Sequence, residues 1–126
     1  MTTATRDTLA GFSPRHDTFV GIDSDGCVFP TMEIKQKRCF HGEIVRVWGL
    51  EKIEKEVREC AEFVNLHSRW RGTNRFSATV MTFDLLAGRP EAKKSGVKLP
   101  HLDGLRKFVR SGVALSNASL KEEVAR

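Results

Sequence analysis

The run Phe19-Val20-Gly21-Ile22 ends directly on Asp23-Ser24-Asp25-Gly26, and this junction constrains the fold more than any other stretch of the chain. Phe19, Val20 and Ile22 do not alternate with polar residues, so an extended segment there has two apolar faces. Such a strand belongs inside a parallel sheet covered by helices on each side. Gly26 marks a sharp departure from it. The reading is an α/β fold in which residues 18–30 carry the first core strand and its acidic exit. Residues 1–17 have no apolar h-region of a secretory signal and read as a flexible leader.

Beyond residue 30 the pattern is helical. A helix starts at Thr31, a capping residue type, with Glu33 in its positive first turn, and Gly42 interrupts or ends it. In residues 49–68, Ile53, Val57, Cys60, Ala61 and Val64 recur at helical spacing with Glu and Lys between them. A further helix starts near Thr73 with Phe76, Val80, Phe83 and Ala87 as its stripe, and Gly88-Arg89-Pro90 stops it. Residues 91–98 read as a polar loop. Pro100 precedes a short helix through Leu102, Leu105 and Val109, and Ser119-Leu120-Lys121-Glu122 has capping-box spacing for a last one. A lone strand leaves both edges unpaired. The expectation is therefore a predominantly helical chain that is an incomplete fold, part of a longer protein.

At 126 residues the chain makes one domain, and 40% hydrophobic with 29% charged residues suits a globular protein. No apolar run approaches the roughly 18 residues of a membrane span. The net charge of +5 is spread along the chain without a Lys/Arg block, and Tyr is absent, which argues for a solvated surface and against a nucleic-acid partner. Cys27, Cys39 and Cys60 are odd in number and form no C-x-x-C, so reduced thiols and a cytoplasmic location are expected.

Asp23 stands at the carboxyl end of the expected strand, where open α/β sheets bind ligands. A carboxylate there can act as a nucleophile, and a second one two residues on points to the same side of an extended chain and can shuttle a proton. The pair also attracts Mg²⁺, and Gly26 lets the turn pass close to a phosphate. The plainer reading is a strand-to-turn junction in which the acids cap the turn. A calcium loop fails, because Cys27 and Ile34 occupy ligand positions. The stretch Gly21-Ile22-Asp23-Ser24-Asp25-Gly26-Cys27-Val28-Phe29-Pro30-Thr31 resembles the first motif of the haloacid dehalogenase (HAD) superfamily, an apolar strand followed by D-x-D-G. The resemblance implies a Rossmannoid core and Asp23 as nucleophile and Mg²⁺ ligand. It implies Asp25 as general acid/base, binding the metal through its backbone carbonyl. Residues 31–126 are similar in kind to the helical cap that many members insert after this strand. Cys27 replaces a common Thr or Val, and Pro30 stands where many members have another Asp, which points to a different start of the cap.

The superfamily also needs a Ser or Thr after a second strand, a Lys, and further acids on another strand. Ser116, after Val113-Ala114-Leu115, is the candidate for the first, and its alternative role is to start a helix. Lys93, Lys94 and Lys98 precede the expected order, and the acidic strand is expected beyond Arg126. Arg69, Arg71 and Arg75 surround Trp70 between two helices. They read either as guanidinium contacts to a substrate phosphate or as a solvated loop with Trp70 packed as an anchor. His16, His41, His67 and His101 share no ligand spacing and read as surface or helix-end residues; Trp48 and Trp70 read as packing residues. The resemblance implies Mg²⁺-dependent hydrolysis of a small phosphorylated substrate through an aspartyl-phosphate, with this chain inactive alone. The alternative is a small helical interaction module whose D-x-D is a relic.

Overall fold

A computed structural model describes residues 10, 11, 13 and 15–125. The expected leader, 1–17, lies for the most part outside the described residues. The described residues are predominantly helical, 62% of them, with no strand among them. The first helix is continuous over 31–48 and has three parts: α1 (Thr31–Lys35), a π-turn (Gln36–Phe40) and α2 (His41–Trp48). Gly42 does not break it. One glycine costs a helix only about 1 kcal/mol, less than the packing of Val45 returns. The actual stop is Gly49 at φ 61, whose left-handed conformation lets the Leu50 N–H reach the Val45 carbonyl at 3.0 Å.

A 3₁₀ turn (Glu51–Ile53) leads into α3 (Glu54–Glu62), and a second π-turn (Phe63–His67) ends it. The expected stripe is the buried one: Ile53, Val57, Cys60, Ala61 and Val64 are all covered. Outside it, Glu54 pairs with Arg58 at 2.6 Å one turn on, and Arg58 also donates to the Lys37 carbonyl at 3.0 Å. These contacts tie α3 to the first π-turn.

The helix α4 (Arg75–Gly88) is capped by Asn74, whose side-chain oxygen accepts from the Phe76 N–H at 3.0 Å. Its buried set is Phe76, Ala78, Thr82, Phe83 and Leu86. Ala87, expected on the stripe, is exposed and Val80 is half-buried. The reason is position: α4 packs against α3 and also against the two short helices that come after it, and so buries a wide arc rather than one narrow seam. Residues 91–98 are not wholly a loop, since Pro90 takes the first position of α5 (Pro90–Lys94), which buries Ala92. Next, α6 (Asp103–Arg110) seats Phe108 edge-on to Phe76, centroids 5.4 Å apart. Finally, α7 (Asn117–Val124) is capped by Ser116, which accepts from the Ser119 N–H at 3.1 Å. The cap is thus three residues earlier than the capping-box spacing suggested.

One core joins α2, the 3₁₀ turn, α3, α4 and α5 around Val45, Leu50, Val57, Cys60, Phe83 and Leu86, with Trp48 edge-on to Phe83 at 4.9 Å between centroids. The expected core strand does not form among the described residues. Phe19, Val20 and Ile22 are 92%, 74% and 72% exposed and pair with no strand among the described residues. An extended segment cannot satisfy its own backbone; it needs a neighbour, and none of the helices offers an edge. No helix among the described residues is long and apolar enough to cross a membrane.

Candidate active site

The acidic exit is a closed turn that leads into α1. The Asp25 N–H donates to Asp23 Oδ1 at 3.3 Å, the Phe29 N–H to the Ser24 carbonyl at 3.0 Å, and the Gly26 N–H to the Phe29 carbonyl at 3.0 Å. Gly26 sits at φ 79, and a Cβ there would lie 2.5 Å from Met32 Cγ, so this turn requires glycine.

Asp25 is held from α1. Thr31 Oγ1 donates to its Oδ1 and Lys35 Nζ forms an ion pair with its Oδ2. The Lys35 ammonium, and second the Thr31 hydroxyl, keep the Asp25 carboxyl below its ordinary 3.8, so it is ionised near neutrality. Thr31 is the first residue of α1 and not its cap; its hydroxyl is spent on Asp25 and, at 3.3 Å, on the Phe29 carbonyl. Thr31 and Lys35 are four residues apart, hence on one helix face. That spacing was readable, but only the turn at Gly26 brings Asp25 back to it.

A cleft of about 310 Å³ opens beside this turn, lined by Gly26, Met32, Glu33, Leu66, His67 and Arg71. Of the three arginines, Arg71 lines the cleft. Arg69 stacks on Trp70 at 5.2 Å, and Arg75 lies over Phe76 at 4.8 Å with Nη2 bonded to Asn117 at 2.6 Å. His67 Nε2 stands 3.3 Å from Glu62, which also pairs with Lys37 at 3.0 Å, and Lys37 reaches Glu33 at 2.6 Å. Two residues of the cleft wall, Glu33 and His67, are thus linked through Lys37 and Glu62, and His67 is a contributor that its sequence spacing did not mark. Ser116 lies elsewhere, as the α7 cap, and residues 112–115 form no strand.

His41, expected at the surface or a helix end, opens α2 but lies inside the molecule. It is 1% exposed, its Nε2 has no hydrogen-bond partner among the described residues, and burial lowers its pKa. Among the described residues no group of three or more His, Cys, Asp or Glu is placed to hold a metal ion. Neither a family model, nor a curated protein, nor a solved structure matches the chain.

Proposed function

We propose that residues 18–30 are the nucleophile segment, and 31–126 the helical cap region, of a HAD-like hydrolase acting on a small phosphorylated substrate. The observation that carries this reading is the Asp23–Gly26 turn: two carboxylates, one exposed and one held ionised, on a tight glycine corner beside a cleft that Arg71 lines. An Asp23 oxygen attacks phosphorus, the ester P–O bond breaks, and the leaving oxygen takes a proton from Asp25. Water then attacks the aspartyl-phosphate, passes a proton to Asp25 and frees Asp23 and phosphate. To act as the acid, Asp25 must first gain a proton and leave Lys35. Arg71 offers paired donors to the phosphoryl oxygens.

Mg²⁺ belongs to this reading, as a hard cation that neutralises charge on the transferring group. The Asp23 carboxylate and the Asp25 backbone carbonyl are oxygen donors suited to it. Two donors do not make a complete site, so the residues of the turn fit the ion only in part. The exposed apolar run Phe19–Ile22 supports the expectation of a partner sheet, which would also bring the Ser/Thr, Lys and further acids.

The test is turnover of p-nitrophenyl phosphate with Mg²⁺ by an enzyme that joins this chain to such a sheet. Asp23→Asn is expected to abolish turnover. Asp25→Asn is expected to slow it by roughly 10²–10⁴-fold while a phosphoenzyme still forms. Near wild-type turnover by Asp23→Asn would remove the nucleophile assignment and leave the helical interaction module, which the self-contained core favours.

A further inference from the structure

Two places in the helical unit depart from regular α-geometry, and residues of both line one pocket. In the first π-turn the His41 N–H donates to the Gln36 carbonyl; in the second the Ser68 N–H donates to the Phe63 carbonyl at 2.8 Å. Such turns hold under about 1% of residues in globular proteins and are frequent at functional sites. Phe40 of the first and Asn65 of the second line a cavity of about 260 Å³, and Ile44 and Ala78 join Phe40 in an apolar wall. Ligand pockets run from roughly 300 to 1,000 Å³, so this one suits a small molecule. The apolar wall favours a ligand that carries carbon out of water.

Charge selects among small molecules. Two ionised side chains line the pocket, Glu43 and Arg75, and both are exposed. Glu43 has its counter-ion: Arg46 donates to its Oε2 from Nη2 at 2.6 Å and from Nε at 3.1 Å, and these bonds hold the Glu43 carboxyl below its ordinary range. Arg75 has none among the described residues. Its Nη2 donates to Oδ1 of the neutral Asn117 side chain at 2.6 Å, and it makes no ion pair among them. The pocket therefore carries one positive charge without a counter-ion. Arg75 is also held in place. Its guanidinium lies 4.8 Å over Phe76, and Asn74 Nδ2 donates to the Leu115 carbonyl at 3.0 Å, which ties the start of α4 to the segment that carries Asn117. A guanidinium fork already ordered loses less freedom when it takes a carboxylate. The Thr79 and Thr82 hydroxyls are spent on the Arg75 and Ala78 carbonyls at 2.8 and 2.9 Å, which leaves Arg75 as the main donor.

We infer that this pocket binds a small monocarboxylate with an apolar tail, the carboxylate on the Arg75 guanidinium and the tail against Phe40, Ile44 and Ala78. One negative charge matches the one positive charge left open. A phosphate monoester, close to doubly charged near neutrality, would bring a second charge that no further lining cation answers. A cationic ligand would meet Arg75 and find Glu43 already paired. The site shares no lining residue with the cleft at Gly26 and stands independently of the reaction proposed at Asp23.

Hexanoate titrated into the ¹⁵N-labelled 126-residue chain tests it, with hexanol and hexylammonium as controls of the same chain length. Hexanoate is expected to move the backbone amides of Phe40, Ile44, Arg75 and Ala78 saturably, with both controls much weaker. Arg75→Gln should weaken hexanoate about tenfold, the low end for a hydrogen bond to a charged group, and leave hexanol unchanged. If that variant does not fold, added sodium chloride reads the same contact in the unaltered chain: it should weaken hexanoate and not hexanol. No saturable shift, hexanol or hexylammonium binding as tightly as hexanoate, unchanged hexanoate binding by Arg75→Gln, or hexanoate binding indifferent to salt would each overturn the inference.

Discussion

Leu86 and Phe19 are both large and apolar, yet Leu86 is 0% exposed and Phe19 is 92% exposed. The two belong to regions that solve the backbone differently. Residues 31–125 are mostly helical, so each helix satisfies its own N–H and C=O groups and needs a neighbour only for its apolar stripe. Residues 19–22 lie in no helix, so an apolar run there needs a partner strand for both its backbone and its side chains. The first region closes a core with itself; the second presents Phe19, Val20, Ile22, Val28 and Phe29 to water. An apolar group of that size marks a surface meant to be covered.

The sharpest way to break this contrast is to truncate one residue of each kind. Leu86→Ala is expected to lower unfolding stability by about 2–5 kcal/mol, because the cavity sits where α3, α4 and α5 meet. Phe19→Ala should change it by less than about 0.5 kcal/mol. Chemical denaturation followed by helical circular dichroism measures both. A Phe19→Ala loss as large as that of Leu86→Ala would mean that the 19–22 segment packs on the helices after all. Chymotrypsin should agree by cutting first after Phe19 or Phe29, leaving the helical unit protected.

His41 sharpens the comparison from inside the helical unit. Burial lowers its pKa from an ordinary 6.5, Arg58 and Lys37 lower it further, and Glu62 acts in the opposite sense. The unfolded chain therefore binds a proton at a higher pH than the folded one. Stability is full above the unfolded value and falls as pH drops through it toward the folded value. The melting temperature should decline from about pH 7.5 to about pH 5. In His41→Leu that part of the decline should vanish. An identical decline in both proteins would assign the pH effect to other groups.

The helical part of the fold was legible in the sequence because its signal is local. Ile53, Val57, Cys60, Ala61 and Val64 carry the 3.6-residue period, and each is buried. The α4 stripe was read less well, since a helix with neighbours on several sides buries Ala78, Thr82 and Leu86 as well as Phe76 and Phe83. The polar composition after Gly88 hid α5 because Glu91, Lys93 and Lys94 surround the single buried Ala92. Phe19–Ile22 had the composition of a doubly buried strand, but composition records what a segment is suited to, not whether its partner is present. At the site, Asp23, Asp25 and Gly26 were readable as a motif. The hold of Thr31 and Lys35 on Asp25 was not, because it depends on a chain reversal over 24–29 that only the bonds among Ser24, Gly26 and Phe29 define.

A smaller effect is expected at the corner between the two regions. Gly26→Ala forces a side chain onto φ 79 and into Met32 Cγ. The left-handed backbone costs an alanine about 1 kcal/mol. Because the turn is at the edge of the helical unit, much of the strain should be relieved by opening the turn rather than by unfolding. The readout is local: the amide resonances of Ser24 to Phe29 should shift and broaden while those of α3 and α4 stay in place. Shifts spread through α3 and α4 would show that the corner is part of the core.

The smallest expected effect on stability comes from Lys35→Met, and it separates a structural ion pair from a functional one. Lys35 and Asp25 are both well exposed, with side chains 38% and 44% accessible, and exposed pairs contribute little to folding. The melting temperature near neutral pH should therefore not change measurably. The Asp25 carboxyl should nevertheless respond, because the Lys35 ammonium is the first cause of its lowered pKa and Thr31 only the second. A carboxyl depressed in the folded state contributes stability above its unfolded value and loses it as pH falls through the folded value. In Lys35→Met the carbon-13 titration of Asp25 should move upward toward 3.8, and the residual depression should be that of the Thr31 hydrogen bond. Thr31→Val in the same background should remove the remainder. If Lys35→Met leaves the Asp25 titration where it was, the ion pair does not set the charge of this carboxylate. If it instead lowers the melting temperature substantially, α1 holds the 24–29 turn as part of the helical unit, and the boundary between the two regions lies before Ser24 rather than at Thr31.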